Sequence, residues 1–362
     1  MKATSQRAFA VVLGTCLAAA CAGGTKGMGS VAAAGTSGAS AGGGVPPSGG
    51  SGTSAGRGGA AGEAMSGGTA NALAGSAGLA MTGGSDGAGE SGGASGSDGL
   101  GGAAPGGPIN VLVWNYTTGY GHQSRETAIP VLLQAAQGTD IHFDVQYALA
   151  DVLPEGTSDT SAGKQPDTSA FVSGGLDKYD VIFFLNTTGS PLNADGAGME
   201  KVHQQALRDY MEQAHRGFIG THSATDTYQG NSWPWYVDDL IGANFAAHSN
   251  AGTSGTARWN DGVTHPILTG SAVPNPWSRQ EEWYTFTRDV RDYAPSDGAG
   301  VFSALLLAND AQFPERPTAW VNQMTGGGRV FYSAFGHDVS AFKEPLFQKL
   351  LFTGIRWAAH RL

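Results

Sequence analysis

No cysteine occurs after residue 21 of this 362-residue chain. Whatever folds downstream therefore has no disulfide, no thiolate metal ligand and no thiol nucleophile. Aromatics are missing from a second region: residues 1–107 contain Phe9 alone, and 32 of the 33 aromatics follow. Burial of large apolar groups offsets the entropy of ordering a chain, so a stretch without them does not fold by itself. An excess of basic charge is lacking as well. The first 107 residues carry four Lys+Arg and four Asp+Glu, so the whole net charge of −10 falls on the remainder. An acidic domain without a basic run excludes nucleic acid as a partner, because that affinity rests on neutralising phosphates. No apolar run reaches the roughly 20 residues of a membrane-spanning helix, which leaves a lipid anchor as the expected route to a membrane.

Residues 1–21 read as an export signal. Lys2 and Arg7 precede an apolar run over 8–17 and the small residues Ala18-Ala19-Ala20. Cys21 after three alanines resembles a bacterial lipoprotein cleavage box, in which that cysteine is lipidated, although the leucine expected three positions before it stands four before, at Leu17. Ordinary secretion after an A-x-A site is the alternative. The expected location is thus the cell envelope, lipid-anchored to the outer membrane, or the exterior. Residues 22–107 hold 32 of the 58 glycines among Ala, Ser and Thr. Such a tract behaves as a flexible coil spanning on the order of 50 Å.

After Pro108 the pattern changes. Ile109-Asn110-Val111-Leu112-Val113-Trp114 predicts a strand, 126–137 a helix, 142–148 a strand by alternation, and 179–185 a strand apolar enough to be buried on both faces. A helix over 199–215 and a strand at 217–220 follow. Strand and helix in alternation predict right-handed βαβ units and a mainly parallel sheet. The later chain reads as strands at 256–260, 283–288, 301–308, 318–323 and 329–334, the last two forming a hairpin about Gly326-Gly327-Gly328, and a closing helix at 346–360.

In an open α/β sheet, ligands sit beyond the carboxyl ends of the strands. Three of those segments deliver a histidine: His122 after the first strand, His222 after the fourth and His337 after the late hairpin. Neutral imidazoles, with a carboxylate such as Glu282, suit zinc or a similar divalent ion, and each could equally serve as acid or base. A structural, hydrogen-bonded histidine is the plainer reading of any one of them. Asp226 and Glu282 are the candidate acid/base carboxylates. Tyr120, Asn186, Thr187, Trp233 and Trp235 are candidate sugar contacts, since aromatic faces beside polar groups suit sugar rings. Asn186 and Thr187 could instead cap a helix. Gly119-Tyr120-Gly121 lacks the dinucleotide fingerprint, so no nucleotide cofactor is expected.

These segments resemble the ThuA-like, trehalose-utilisation family over nearly all of residues 109–360. The matching motifs run in order: Gly119-Tyr120-x-His122-x-Ser124, Phe184-Leu185-Asn186-Thr187-Thr188-Gly189, Gly220-x-His222-Ser223-Ala224-Thr225-Asp226-Thr227, Trp233-Pro234-Trp235-Tyr236, Gly242-Ala243-x-Phe245-x-x-His248, His265-Pro266, Glu281-Glu282-Trp283-Tyr284, Gly327-Gly328-Arg329-Val330-Phe331-Tyr332, Gly336-His337 and Gly354-Ile355-Arg356-Trp357-Ala358. Glu281 stands where the family has Asp, and Ser249 where it has Pro after His248. The resemblance implies a flavodoxin-like fold of the class I glutamine amidotransferase type, with helices on both faces and extra late strands. It also implies that the protein, exported by the N-terminal signal, acts on a carbohydrate, by hydrolysis or elimination of a glycoside or keto-glycoside; a non-catalytic carbohydrate-binding domain is the alternative. In the amidotransferases the turn after this strand holds a catalytic cysteine. Here that turn is Gly220-Thr221-His222-Ser223-Ala224, so their thiolate reaction is excluded. The sequence leaves the oligomeric state open.

Overall fold

Alternation of apolar side chains to two faces builds the centre of the sheet. In β1 (Ile109–Trp114), Ile109, Val111 and Val113 join one buried cluster while Leu112 and Trp114 join the other. The strand Val181–Leu185 divides in the same way, with Val181, Phe183 and Leu185 facing opposite to Ile182 and Phe184. Each such large side chain contributes about 1.5–3 kcal/mol on burial, so these strands hold the sheet between two layers. The computed structural model describes residues 106–146, 152–194, 197–295 and 298–362. The export signal, Cys21 and all but the last two residues of the Gly-rich tract lie outside the described residues.

In chain order the elements are β1, α1 (Ser124–Ala136), β2 (Ile141–Val145), β3 (Val181–Leu185), α2 (Ala197–Met211), β4 (Gly217–Thr221), β5 (Phe245–His248), β6 (Thr253–Trp259), α3 (Pro266–Ser271), β7 (Trp277–Glu281), β8 (Tyr284–Phe286), β9 (Gly300–Asp310), β10 (Arg316–Met324), β11 (Arg329–Ser333), α4 (Val339–Lys343) and α5 (Pro345–Ala358). A 3-10 turn, His222–Asp226, and a π-helix, Trp235–Ile241, follow β4. The main sheet has nine strands in the order β2-β1-β3-β4-β11-β10-β9-β6-β7, and β5 pairs with β8 apart from it. Pairing is parallel from β2 through β11 and antiparallel from β11 to β7. Helices α1, α3 and α5 cover one face; α2 and the π-helix cover the other. The fold is thus mixed α/β, as expected, with a parallel half and a long antiparallel extension.

The second strand ends at Val145, and residues 147–148 of its expected range are outside the described residues. The strand expected over 283–288 is β8, which begins after the buried Trp283, while β7, over 277–281, is absent from the expected strands. The reason is that β7, Trp-Ser-Arg-Gln-Glu, is an edge strand with only Trp277 and Glu281 buried, so it lacks an apolar run.

Candidate functional site

Strands β1, β3, β4 and β11 run parallel, so the segments that leave their carboxyl ends meet at one edge. The sharpest exit is at β4, where His222 adopts φ +44°, a left-handed conformation that costs a non-glycine residue strain and gathers at functional sites. Its ring is fixed on both sides. Nδ1 lies 3.0 Å from the Ala334 carbonyl, which can only accept, so Nδ1 carries the proton and Nε2 presents a lone pair. The Tyr284 hydroxyl donates to that Nε2 at 2.9 Å, and Glu282 Oε2 lies 3.3 Å from it.

Glu282, from the short link between β7 and β8, gathers three histidines. Its Oε2 lies 3.1 Å from His337 Nδ1, and its Oε1 lies 3.0 Å from Nδ1 of the half-exposed His248. Burial opposes ionisation of this carboxyl, but the neighbouring His222 and His337 rings outweigh it and hold its pKa well below the ordinary range. For His337, burial works against protonation and the Glu282 bond reverses the balance, so its pKa is raised. His122 has no such carboxylate contact: burial, then the neighbouring His222 and His337, push its pKa well down. Its ring packs edge-on against His222 and His337, with centroids at 4.7 and 5.4 Å.

One ligand atom from each of His122, His222, Glu282 and His337 lies within 4.8 Å of the others. Three neutral imidazoles and a carboxylate are a donor set for zinc or a similar divalent ion. Two observations fit this use. His122 Nδ1 is buried with no hydrogen-bond partner among the described residues, an arrangement costing about 1–3 kcal/mol unless something occupies it. And His222 is anchored through Nδ1 to a backbone carbonyl, the outer contact typical of a ligating histidine.

Beside the cluster is a cavity of about 230 Å³ lined by Tyr120, His122, Asp226, Phe245, His248, Glu282, Tyr284 and His337. That is smaller than the roughly 300–1,000 Å³ of pockets for drug-sized ligands and suits one sugar-sized ring. Tyr120 stands half exposed at its rim. Burial raises the pKa of Asp226, while a hydrogen bond from Gln229 opposes the shift. A larger hollow of about 340 Å³, at Arg279, Glu281, Asp338 and Glu344, has no histidine in its lining, and its Arg279 is already paired with Glu281 at 2.5 Å.

Among the residues singled out from sequence, His122, His222, Glu282 and His337 come together, and Asp226 and Tyr120 line the adjoining cavity. The other four expected sugar contacts require correction. Asn186 and Thr187 are fully buried, and their side chains bond within the protein. Trp233 and Trp235 are buried in an aromatic stack with Tyr228 and Tyr236 and do not line the cavity. The cavity instead uses Phe245 and Tyr284, the second of which also reaches His222. Phe245 lies in β5, a strand the sequence reading did not include; the Glu-Glu-Trp-Tyr run pointed to Tyr284 without giving it a role.

A family model described as ThuA, trehalose utilisation, matches residues 110–358. Among solved structures, the chain is similar to a ThuA-like protein from Bacteroides uniformis ATCC 8492, with 20% identity, TM-score 0.50, and 72% of this chain and 95% of that one covered. It is also similar to a ThuA-like protein from Parabacteroides merdae ATCC 43184, at 18% identity and TM-score 0.47, covering 70% and 90%. The glutaminase domain of Trypanosoma brucei CTPS with bound acivicin aligns at 9% identity and TM-score 0.36, covering 68% and 93%. No curated protein matches the chain.

Proposed function

The chain belongs to the ThuA, trehalose-utilisation, family, and from that premise we propose that it is a metal-assisted enzyme acting on a carbohydrate, by hydrolysis or elimination of a glycoside or keto-glycoside. The observation that carries the metal reading is the convergence of His122, His222, Glu282 and His337 within 4.8 Å beside a sugar-sized cavity. A divalent ion on these four residues would supply Lewis-acid polarisation of a substrate oxygen. The side chains around them divide the remaining work. Tyr120 and Phe245 offer aromatic surface to a sugar ring at the mouth. Asp226, whose burial favours its protonated form, is placed to give a proton to a leaving oxygen. His248 on Glu282, half exposed, connects the cluster with solvent for proton exchange. The Tyr284 hydroxyl, kept protonated by burial, is a hydrogen-bond donor to the same space. The N-terminal reading adds a location: export to the cell envelope, on a lipidated Cys21 or by secretion.

The test is elemental analysis of the full chain purified without chelators, beside His222→Ala, followed by a glycoside and keto-glycoside turnover screen. Near-stoichiometric zinc, manganese or iron in the parent, lost in the variant together with turnover, is the expected result. No metal in the parent after divalent ions are supplied would overturn the metal reading. Retained sugar binding without turnover would make the domain a binding module.

A further inference from the structure

We propose that Asn186 is the positioning residue of the histidine cluster, joining the three strand ends that carry His122, His222 and His337. It follows β3, the one strand of the central four whose exit adds no histidine. Its amide is used on three sides. Nδ2 donates to Ser124 Oγ at 2.8 Å and to the Gly336 carbonyl at 2.8 Å, and Oδ1 accepts from Thr221 Oγ1 at 2.7 Å. Ser124 stands two residues after His122, Thr221 immediately before His222, and Gly336 immediately before His337. A single planar amide thus fixes the separation of three backbone segments whose imidazoles must meet.

Local geometry makes the arrangement specific. Asn186 has φ +50°, a left-handed conformation that Asn and Asp enter more readily than other side chains. Gly336 has φ +113°, and a Cβ there would lie 2.9 Å from the Phe342 ring, so the carbonyl that Asn186 holds belongs to a turn only glycine can make. Only an amide can donate twice and accept once here. A carboxylate keeps the bond from Thr221 but faces the Gly336 carbonyl without a proton, which releases the segment leading to His337.

The proposal rests on the metal reading for its first measurement and is independent of it for its second. Asn186→Asp, chosen because Asp tolerates the backbone, is compared in the full chain with Asn322→Asp. Asn322 is an equally buried amide that donates to the Asp239 and Leu240 carbonyls away from the cluster. Both variants are expected to lose thermal stability. Zinc affinity should fall in Asn186→Asp by up to the roughly 10–100-fold lost when a group bonded to a ligand itself is removed, and the cobalt-substituted absorption spectrum should change; Asn322→Asp should match the parent in both. Equal zinc affinity in Asn186→Asp and the parent would overturn the proposal. If the parent binds no metal, the metal reading fails by itself, and the histidine ring nitrogen resonances of the metal-free chain decide instead. Shifts in Asn186→Asp that Asn322→Asp lacks uphold the positioning role, and unchanged resonances overturn it. Should Asn186→Asp not fold, Thr221→Val cuts one arm alone and is read by the same measurements, with a smaller loss expected and no loss overturning the proposal.

Discussion

Two buried ionisable clusters, one at the start of α1 and one beyond the carboxyl ends of the central strands, differ in kind. In the first, the guanidinium of Arg125, 1% exposed, sits between Asp159 at 2.6 Å and Glu126 at 2.7 Å, and Asp159 also accepts from the Thr117 backbone N–H. Cation faces anion in each pair, and a guanidinium is never deprotonated in a protein. In the second, nitrogen faces nitrogen. His337 Nδ1 lies 3.4 Å from His222 Nε2, with the single carboxylate of Glu282 against both. Imidazoles gathered on one carboxylate can take a shared proton or a cation, whereas in the Arg125 cluster a permanent cation already stands against each carboxylate. The lesson is that burial of charge alone does not mark a site; convergence of exchangeable lone pairs beside a cavity does.

Substitutions sharpen this contrast, and the largest effect is expected at His222. His222→Ala should abolish metal binding and turnover while the chain stays folded, as read by elemental analysis and circular dichroism. The opposite outcome is expected at Asp159. Asp159→Ala leaves Arg125 short of a partner, and loss of one side of a buried pair costs about 3–5 kcal/mol; urea unfolding should show it, with one metal per folded chain retained. If instead Asp159→Ala lost the metal and kept its stability, the two clusters would have exchanged roles. A smaller effect is expected at the cavity mouth, where Tyr120→Ala should raise KM several-fold for a glycoside the parent turns over and leave kcat nearly unchanged.

The smallest effect concerns pH and arises away from the cluster. Burial, and then the nearby Arg329, lower the pKa of His265 to about 4; burial, Arg329 and His215 do the same for His360. Between about pH 6.5 and 4 the unfolded chain takes up protons that the folded chain refuses, so stability is full above 6.5 and falls as pH drops through that window. His265→Asn retains a cap acceptor for the Ile267 N–H, which His265 Nδ1 now bonds. It should flatten the fall in melting temperature between pH 7 and 4.5.

The same distinction explains what could be read from sequence. Strands β1, β3 and β4 were legible because both of their faces are apolar, and their order placed His122 and His222 at one edge. β7 was not legible, since an edge strand with one buried face carries no run of apolar residues. Asn186 and Thr187 have the composition of a ligand loop and turn inward, because the φ of +50° and the three hydrogen bonds of Asn186 depend on partners 35 to 150 residues away. Trp233 and Trp235 fail as sugar contacts for a related reason. An aromatic near a strand end can face either the cavity or the core, and the stack with Tyr228 and Tyr236 decides it.

X-ray absorption at the metal edge of the zinc-loaded full chain tests the central claim most directly. Three imidazole nitrogens at about 2.0–2.1 Å and carboxylate oxygen in the first shell, with imidazole scattering reduced in His337→Ala, is the predicted result. A spectrum without imidazole scattering, or a chain that takes up no zinc, would contradict the assignment of His122, His222, Glu282 and His337 as a metal centre.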